Sequence, residues 1–260
     1  MRKIERDMQV NKTELMKIWK HEELQSFKGW DFSYISKRHT EEKLPWDYKE
    51  AVKSLMDNKK MLDMGTGGGE FLISLQPKAG VTYATESYPP NIELCKRTLP
   101  EYGIDFRAVE NDEQLPFSNY FFDLIINRHE SFCTKEVCRI LNSGGKFVTQ
   151  QVGGRNNKEL SKLLLGEYPN IVNANYNLEN AVKELEDAGF KVIKQVEYFP
   201  HIRFYDIGAL VFFARIIEWE FPDFTVERCF DKLYELQQKL ERDGYVESIE
   251  HRFFIEAIKE

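Results

Sequence analysis

The sequence predicts an α/β fold: a doubly wound, mostly parallel sheet of seven strands whose last strand returns antiparallel. Three observations predict it. Short apolar runs alternate with helical periods from residue 61 to residue 199, the pattern of strands joined by crossover helices. The first run, MLDM, ends in a ladder of glycines at Gly65, Gly67 and Gly69 before a helical stretch. The final run, HRFFIEAIK, follows a helical interruption of that alternation and reads as a strand lying antiparallel to residues 190–199.

Residues 1–28 carry apolar side chains at helical spacing, with Leu15, Ile18 and Trp19 on one face. Residues 29–46 read as irregular and aromatic, with Trp30, Phe32, Tyr34 and Trp46, and Pro45 bars a helix there. Asp47 caps a short helix over 48–56. After MLDM and the glycines, a helix begins at 70–74. The strand 81–85 ends at Glu86, and Pro89 and Pro90 open a helix over 91–99. Strand 104–109, the loop NDEQLPF and the apolar strand 121–128 follow. A helix over 133–141 stops at Gly144 and Gly145, before strand 146–152. Helices over 157–165 and 178–188 lead to strand 190–199. The stretch 204–220 is too long and apolar for one strand and reads as a buried helix. Residues 225–243 form an amphipathic helix, and 251–259 close the sheet. The domain reading is therefore an N-terminal helical and aromatic extension over 1–57, a core over 58–199, a helical insertion over 200–249 and the last core strand in 250–260. The extension and the insertion are placed to serve as lid and substrate wall.

The chain has 260 residues, 42% of them hydrophobic and 13% aromatic, enough for one α/β domain with additions. A net charge of −7 argues against a broad nucleic-acid-binding face. No run is apolar enough for a membrane span, and the charged N-terminus lacks the apolar middle of a signal peptide. Cys95, Cys133, Cys138 and Cys229 form no CxxC pair, so neither a disulfide scaffold nor a metal site is expected. The expected location is cytoplasmic. Oligomeric state is not written in the sequence.

A strand that breaks into glycines lets a ligand press against bare backbone, and the amides of the next helix point toward it. Two glycine-loop chemistries fail on spacing. A phosphate-binding P-loop needs Lys after its last glycine, where Glu70 and Phe71 stand. A dinucleotide fingerprint needs glycine at 70 or 72, which are Glu70 and Leu72. Glu86 follows Asp63 by roughly the 20 residues of one βαβ step, and a carboxylate there can accept from a ribose cis-diol.

The pattern Asp63-x-Gly65-x-Gly67-x-Gly69, with Glu86 and the loop Asn111-Asp112-Glu113-Gln114-Leu115-Pro116-Phe117 followed by Asp123, resembles the class I S-adenosylmethionine-dependent methyltransferases. The resemblance covers about residues 58–152. It looks like the branch that includes quinone-biosynthesis and many small-molecule enzymes. It implies a Rossmann-like core, S-adenosyl-L-methionine as cofactor and S-adenosyl-L-homocysteine as product. It assigns the cofactor to Asp63, Met64, Gly65, Thr66, Gly67 and Gly69 in the first loop. Glu86 would take the ribose, with Ser87 beside it. Asn111, which stands where Asp is usual, Asp112 and Glu113 would meet adenine. Asn127 and Arg128 would face the cofactor from the end of the central strand.

In an open α/β sheet the chemistry lies beyond the carboxyl ends of the strands. Here that end reads Asn127-Arg128-His129-Glu130. His129 is a candidate general base, because an unperturbed imidazole titrates near neutrality; a pocket-shaping role is the alternative. The Asn/Asp-Pro-Pro-aromatic motif of the amino-methylating nucleic-acid branch is absent at this point. Gln150 and Gln151 end the fifth strand, and His201, Arg203, Tyr205 and Asp206 precede the insertion; all are weaker candidates, as is an aromatic lid. A methyl on sulfonium is already activated, so aligning the nucleophile is the protein's main task. The sequence therefore describes the donor better than the acceptor. The expected function is methyl transfer to a small molecule. An RNA base methyltransferase and a cofactor-binding protein without turnover are the alternatives.

Overall fold

The computed structural model describes residues 2–27, 32–166, 173 and 175–260, with side chains from residue 11 onward. Trp30, one of the aromatic lid candidates, lies outside the described residues. The strands are β1 His39–Glu41, β2 Met61–Met64, β3 Thr82–Glu86, β4 Asp105–Ala108, β5 Phe122–Arg128, β6 Leu141–Val152, β7 Phe190–Tyr198, β8 His201–Phe204, β9 Val246–Ile249 and β10 Arg252–Lys259. The α-helices are α1 Arg2–Glu23, α2 Tyr48–Lys53, α3 Glu70–Ser74, α4 Pro89–Thr98, α5 Thr134–Ile140, α6 Lys158–Leu165, α7 Leu178–Asp187, α8 Ile207–Ile216 and α9 Val226–Asp243. They fall into two units: 44–153 with 175–198 and 252–260, and 1–43 with 154–174 and 199–251. The division falls at residue 44 rather than 58, and groups 154–174 with the segments on either side of the core.

The larger unit is the expected seven-stranded sheet, in the order β4-β3-β2-β5-β6-β10-β7. β2 pairs in parallel with both β3 and β5. The chain thus winds outward from β2 through β3 and β4, then restarts at β5 on the other side. That reversal makes the carboxyl ends of β2 and β5 the switch point where ligands bind in open α/β sheets. β10 lies antiparallel to both β6 and β7. Alternate strand residues enter opposite cores, as a period of two requires. Leu62, Ile125, Phe147, Phe253 and Ile255 pack on one face, and Met61, Leu124, Ile126, Val148 and Phe254 on the other. Burial on both faces explains why these strands read as continuous apolar runs.

The smaller unit has its own core around Trp19, Phe204, Phe212, Phe221 and Leu233. Its three-stranded antiparallel sheet runs β1-β8-β9, with His39 opposite Phe204 and Phe204 opposite Val246. The buried helix expected over 204–220 is the shorter α8. Asp206 starts it, accepting from Ala209 N at 2.8 Å, and every residue from Ile207 to Ala214 is buried. Residues 201–204 before it form β8, and the stretch read as irregular holds β1. α9 ends at Gly244 in the left-handed region, φ 84°.

Two further boundaries differ from expectation. α2 stops at Lys53. α5 stops at Ile140, and β6 begins at Leu141 rather than 146, because Leu141 already pairs with Phe122 and a register shift absorbs the glycines. Among the described residues, no helix is long and apolar enough to cross a membrane.

Candidate active site

The loop after β2 is shaped by its own side chains. Asp63 is buried, and Thr66 Oγ1 donates to its carboxylate at 2.7 Å, closing the turn between them. Burial lifts Asp63 from 3.8 to about 7, with Thr66 and Arg128 opposing the rise and Glu86 adding to it. Gly65 and Gly69 each combine a left-handed backbone with a crowded Cβ position. Gly65 has φ 66°, and a Cβ there would sit 2.2 Å from Glu130 Cγ. Gly69 precedes α3 with φ 88°, and a Cβ would meet Leu99 Cδ2 at 2.7 Å.

Glu86 is almost fully buried at the end of β3. Its Oε1 accepts from the amides of Ser87 and Tyr88, both at 2.8 Å, and its Oε2 from the Gly67 amide at 2.7 Å. A carboxylate offers about four acceptor sites, so one is left on Oε2. The residue assigned to a ribose also holds the glycine loop against β3.

Between these two strand ends lies a cleft of about 230 Å³. Of the residues assigned to the cofactor, Met64, Gly65, Glu86, Ser87, Asn111 and Asp112 line it. Asp63, Thr66, Gly67, Gly69, Glu113, Asn127 and Arg128 do not; those in the first loop shape it from behind. Sequence reasoning did not assign Thr85, Val109, Glu110, Leu115, Glu130 or Ser131, which complete the lining. Each lies within two residues of a position assigned to the cofactor or to catalysis, which is the available signal. Four carboxyl side chains, Glu86, Glu110, Asp112 and Glu130, line the cleft, and no lysine or arginine does. Burial, followed by the charge of Glu86, raises the Glu130 pKa, and Asp112 adds to the effect.

The third loop is held from α5. Asn111 Oδ1 accepts from the Glu113 amide at 3.0 Å, a turn of the Asx type. Glu136 accepts from the Leu115 amide at 2.6 Å, and Arg139 donates to the carbonyl of Phe117 at 2.8 Å and that of Leu115 at 3.2 Å. Glu136 and Arg139 pair with each other. Glu136 and Arg139 also line a larger, open hollow of about 710 Å³ beside Glu113.

At the end of β5, Asn127 is fully buried. Its Oδ1 accepts from Thr149 Oγ1 at 3.1 Å and from Gln151, so it braces the strand ends. Arg128 lies over the Phe71 ring, 4.3 Å from its centroid. His129 has a left-handed backbone, φ 61°, uncommon for a non-glycine residue. Gln150 holds it twice: the His129 amide donates to Gln150 O at 2.8 Å, and Gln150 Nε2 lies 2.9 Å from His129 Nε2. Trp46 Nε1 donates to Gln150 Oε1 at 2.7 Å. His129 is exposed at the end of the strand, while part of its ring is desolvated by its neighbours. That desolvation, with the Arg252 and Arg128 charges, pushes its pKa well below the ordinary value. Of the weaker candidates, Gln150 and Gln151 are buried, while Asp206 caps α8 and binds Arg38.

Residues 62–149 match the family described as methyltransferase domain, close to the span the motifs cover. The resemblance is to this segment of the chain, and the seven-stranded sheet that contains it has the expected antiparallel last strand. A phthiotriol/phenolphthiotriol dimycocerosates methyltransferase of Mycobacterium leprae and an assigned counterpart of Mycobacterium ulcerans are each 29% identical over 111 residues, 39% of this chain. The match spans 40% and 42% of those proteins respectively, so the chain covers about two fifths of each. Three solved structures share the fold. A candidate methyltransferase of Bacillus halodurans C-125 is 16% identical over 81% of this chain and 96% of its own, with a TM-score of 0.56. YcgJ of Bacillus subtilis is 15% identical over 82% and 97%, with a TM-score of 0.54. The 4+2 cyclase SpnF is 14% identical over 81% and 79%, with a TM-score of 0.51. A cyclase among them shows that this fold does not by itself fix the chemistry.

Proposed function

We propose that the protein is an S-adenosylmethionine-dependent methyltransferase acting on a small molecule. The observation that carries the reading is the charge of the cleft at the β2–β5 switch point. Four carboxyl side chains and no basic residue line it, which suits a cationic nucleoside and opposes a phosphorylated one. The exposed backbone at Gly65, the remaining acceptor site on Glu86 and the polar edge of Asn111 and Asp112 fit a sulfonium-bearing adenosyl group. When bound, that cofactor supplies a methyl activated by positive sulfur, and S-adenosyl-L-homocysteine is left after transfer.

The chain's own part is to orient and to exclude water. Asp63 and Thr66 close the loop, Gly67 ties it to Glu86, and Gly69 lets α3 approach Leu99. Glu113 and Asn127 support the neighbouring backbone, and Arg128 carries positive charge toward the strand end. A small acceptor agrees with the named acceptors of the curated relatives, which are not polymers. All four cysteines are free, which fits a cytoplasmic protein.

The test is incubation of the protein and labelled S-adenosylmethionine with metabolite extract, followed by mass spectrometry. Wild type should add label to a low-molecular-mass species, and Glu86→Ala should not. Label found only in RNA would support the alternative acceptor, and no labelled product from any fraction would oppose turnover.

A further inference from the structure

The hydrogen-bond chain behind His129 fixes where its proton lies. An indole N–H can only donate, so the Trp46 contact identifies the Gln150 atom it meets as the carbonyl oxygen. The other end of that amide is then NH₂, a donor, and it faces His129 Nε2 at 2.9 Å. Nε2 must accept, so the neutral imidazole carries its proton on Nδ1. The second bond from Gln150, to the His129 amide, holds the left-handed backbone that aims the ring. Such a conformation is strained for a non-glycine residue and persists where the surroundings over-determine it. As a general base His129 would need a free lone pair, and the one on Nε2 is occupied.

The surroundings of this donor are cationic. Arg128 lies opposite Gln150 in the β5–β6 pairing. Phe254 lies opposite Gln150 in the β6–β10 pairing, which places Arg252, two residues before it, on the same face and at the same end of the sheet. Each guanidinium carries five N–H donors and a permanent positive charge. The acidic cleft and this basic strand end lie on the same carboxyl edge of the sheet.

The geometry points to an anionic acceptor: a small molecule with a carboxylate or phosphate group held by Arg128 and Arg252, and an oxygen that accepts from His129 Nδ1–H, with Trp46 and Gln150 as positioning residues that fix the imidazole tautomer. The inference names the acceptor class for the methyl-transfer reading and rests on it for its biological meaning.

Its test needs no methyl donor. Long-range nitrogen–proton spectra of the histidine-labelled protein report which ring nitrogen carries the proton. Wild type should show the neutral Nδ1–H form at pH 7. Gln150→Leu should release the ring to a mixture of tautomers, and Gln150→Asn should restore little of the wild-type pattern because its amide is one methylene shorter. Trp46→Phe, which keeps the aromatic packing, should weaken the preference. Inorganic phosphate and benzoate are then titrated separately. At least one should move the Nδ1–H signal saturably, and Arg252→Gln should weaken that binding tenfold or more; which anion acts separates the two acceptor types. A wild-type ring protonated on Nε2, or no saturable shift with either anion, overturns the inference while leaving cofactor binding untouched. Failure of cofactor binding with these signals intact would instead oppose the methyl-transfer reading alone.

Discussion

Glu130 lies so close to Gly65 that a Cβ on the glycine would sit 2.2 Å from Glu130 Cγ. The glycine therefore does two things at once: it adopts φ 66° and it admits an acidic side chain to the cleft. Gly65→Ala combines left-handed strain with displacement of Glu130. The variant should lose about 1–3 kcal/mol of stability and at least tenfold in cofactor affinity. Thermal unfolding and calorimetry check the two effects separately.

Glu86 lines the cleft and holds the glycine loop, accepting from three backbone amides. Glu86→Gln keeps the size but turns one acceptor oxygen into a donor facing an N–H. The expected loss is about 1–3 kcal/mol in stability, larger than a residue serving a ligand alone would show. Denaturant unfolding of the ligand-free protein measures it directly.

Asp63 gives a pH dependence of defined sign. Its pKa rises from 3.8 to about 7 on folding, chiefly through burial. The folded protein thus holds this proton more tightly than the unfolded chain. The resulting stability is fully present below the unfolded value and is lost as pH rises through about 7. Wild-type Tm should fall between about pH 4 and pH 7, and Asp63→Asn should flatten the fall. A cation bound nearby favours the ionised carboxylate, so binding should release protons near neutral pH. Calorimetry in buffers of different ionisation enthalpy reads the number released.

Glu136 holds the third loop through the Leu115 amide and Arg139. Glu136→Ala leaves that amide and the guanidinium short of a partner and should cost about 1–3 kcal/mol. Because the same loop lines the cleft at Asn111 and Asp112, cofactor affinity should fall as well. A variant that loses stability with unchanged affinity would separate the anchor from the site.

The elements of the proposed donor side are legible because their signals are local and of unusual residue type. The glycine ladder, the strand-end Glu86 and the Leu115-Pro116-Phe117 loop each occupy a few consecutive positions, and each lies where the sequence placed it. Glu130 carries no such local signal, because its place in the cleft depends on the missing Cβ of Gly65. The Trp46–Gln150–His129 chain was illegible for a different reason: its links join positions 104 and 21 residues apart. The small sheet β1-β8-β9 escaped similarly. Strands of three or four residues carry too little alternation to register, and their pairing brings His39 to Phe204 and Phe204 to Val246.

The most direct test of the central claim is calorimetric titration of the purified protein with S-adenosyl-L-methionine and, separately, with NADH. One S-adenosylmethionine should bind saturably per chain, weakened at least tenfold by Glu86→Ala, and the phosphorylated dinucleotide should not bind. Absence of S-adenosylmethionine binding, or equal binding by wild type and Glu86→Ala, would contradict it.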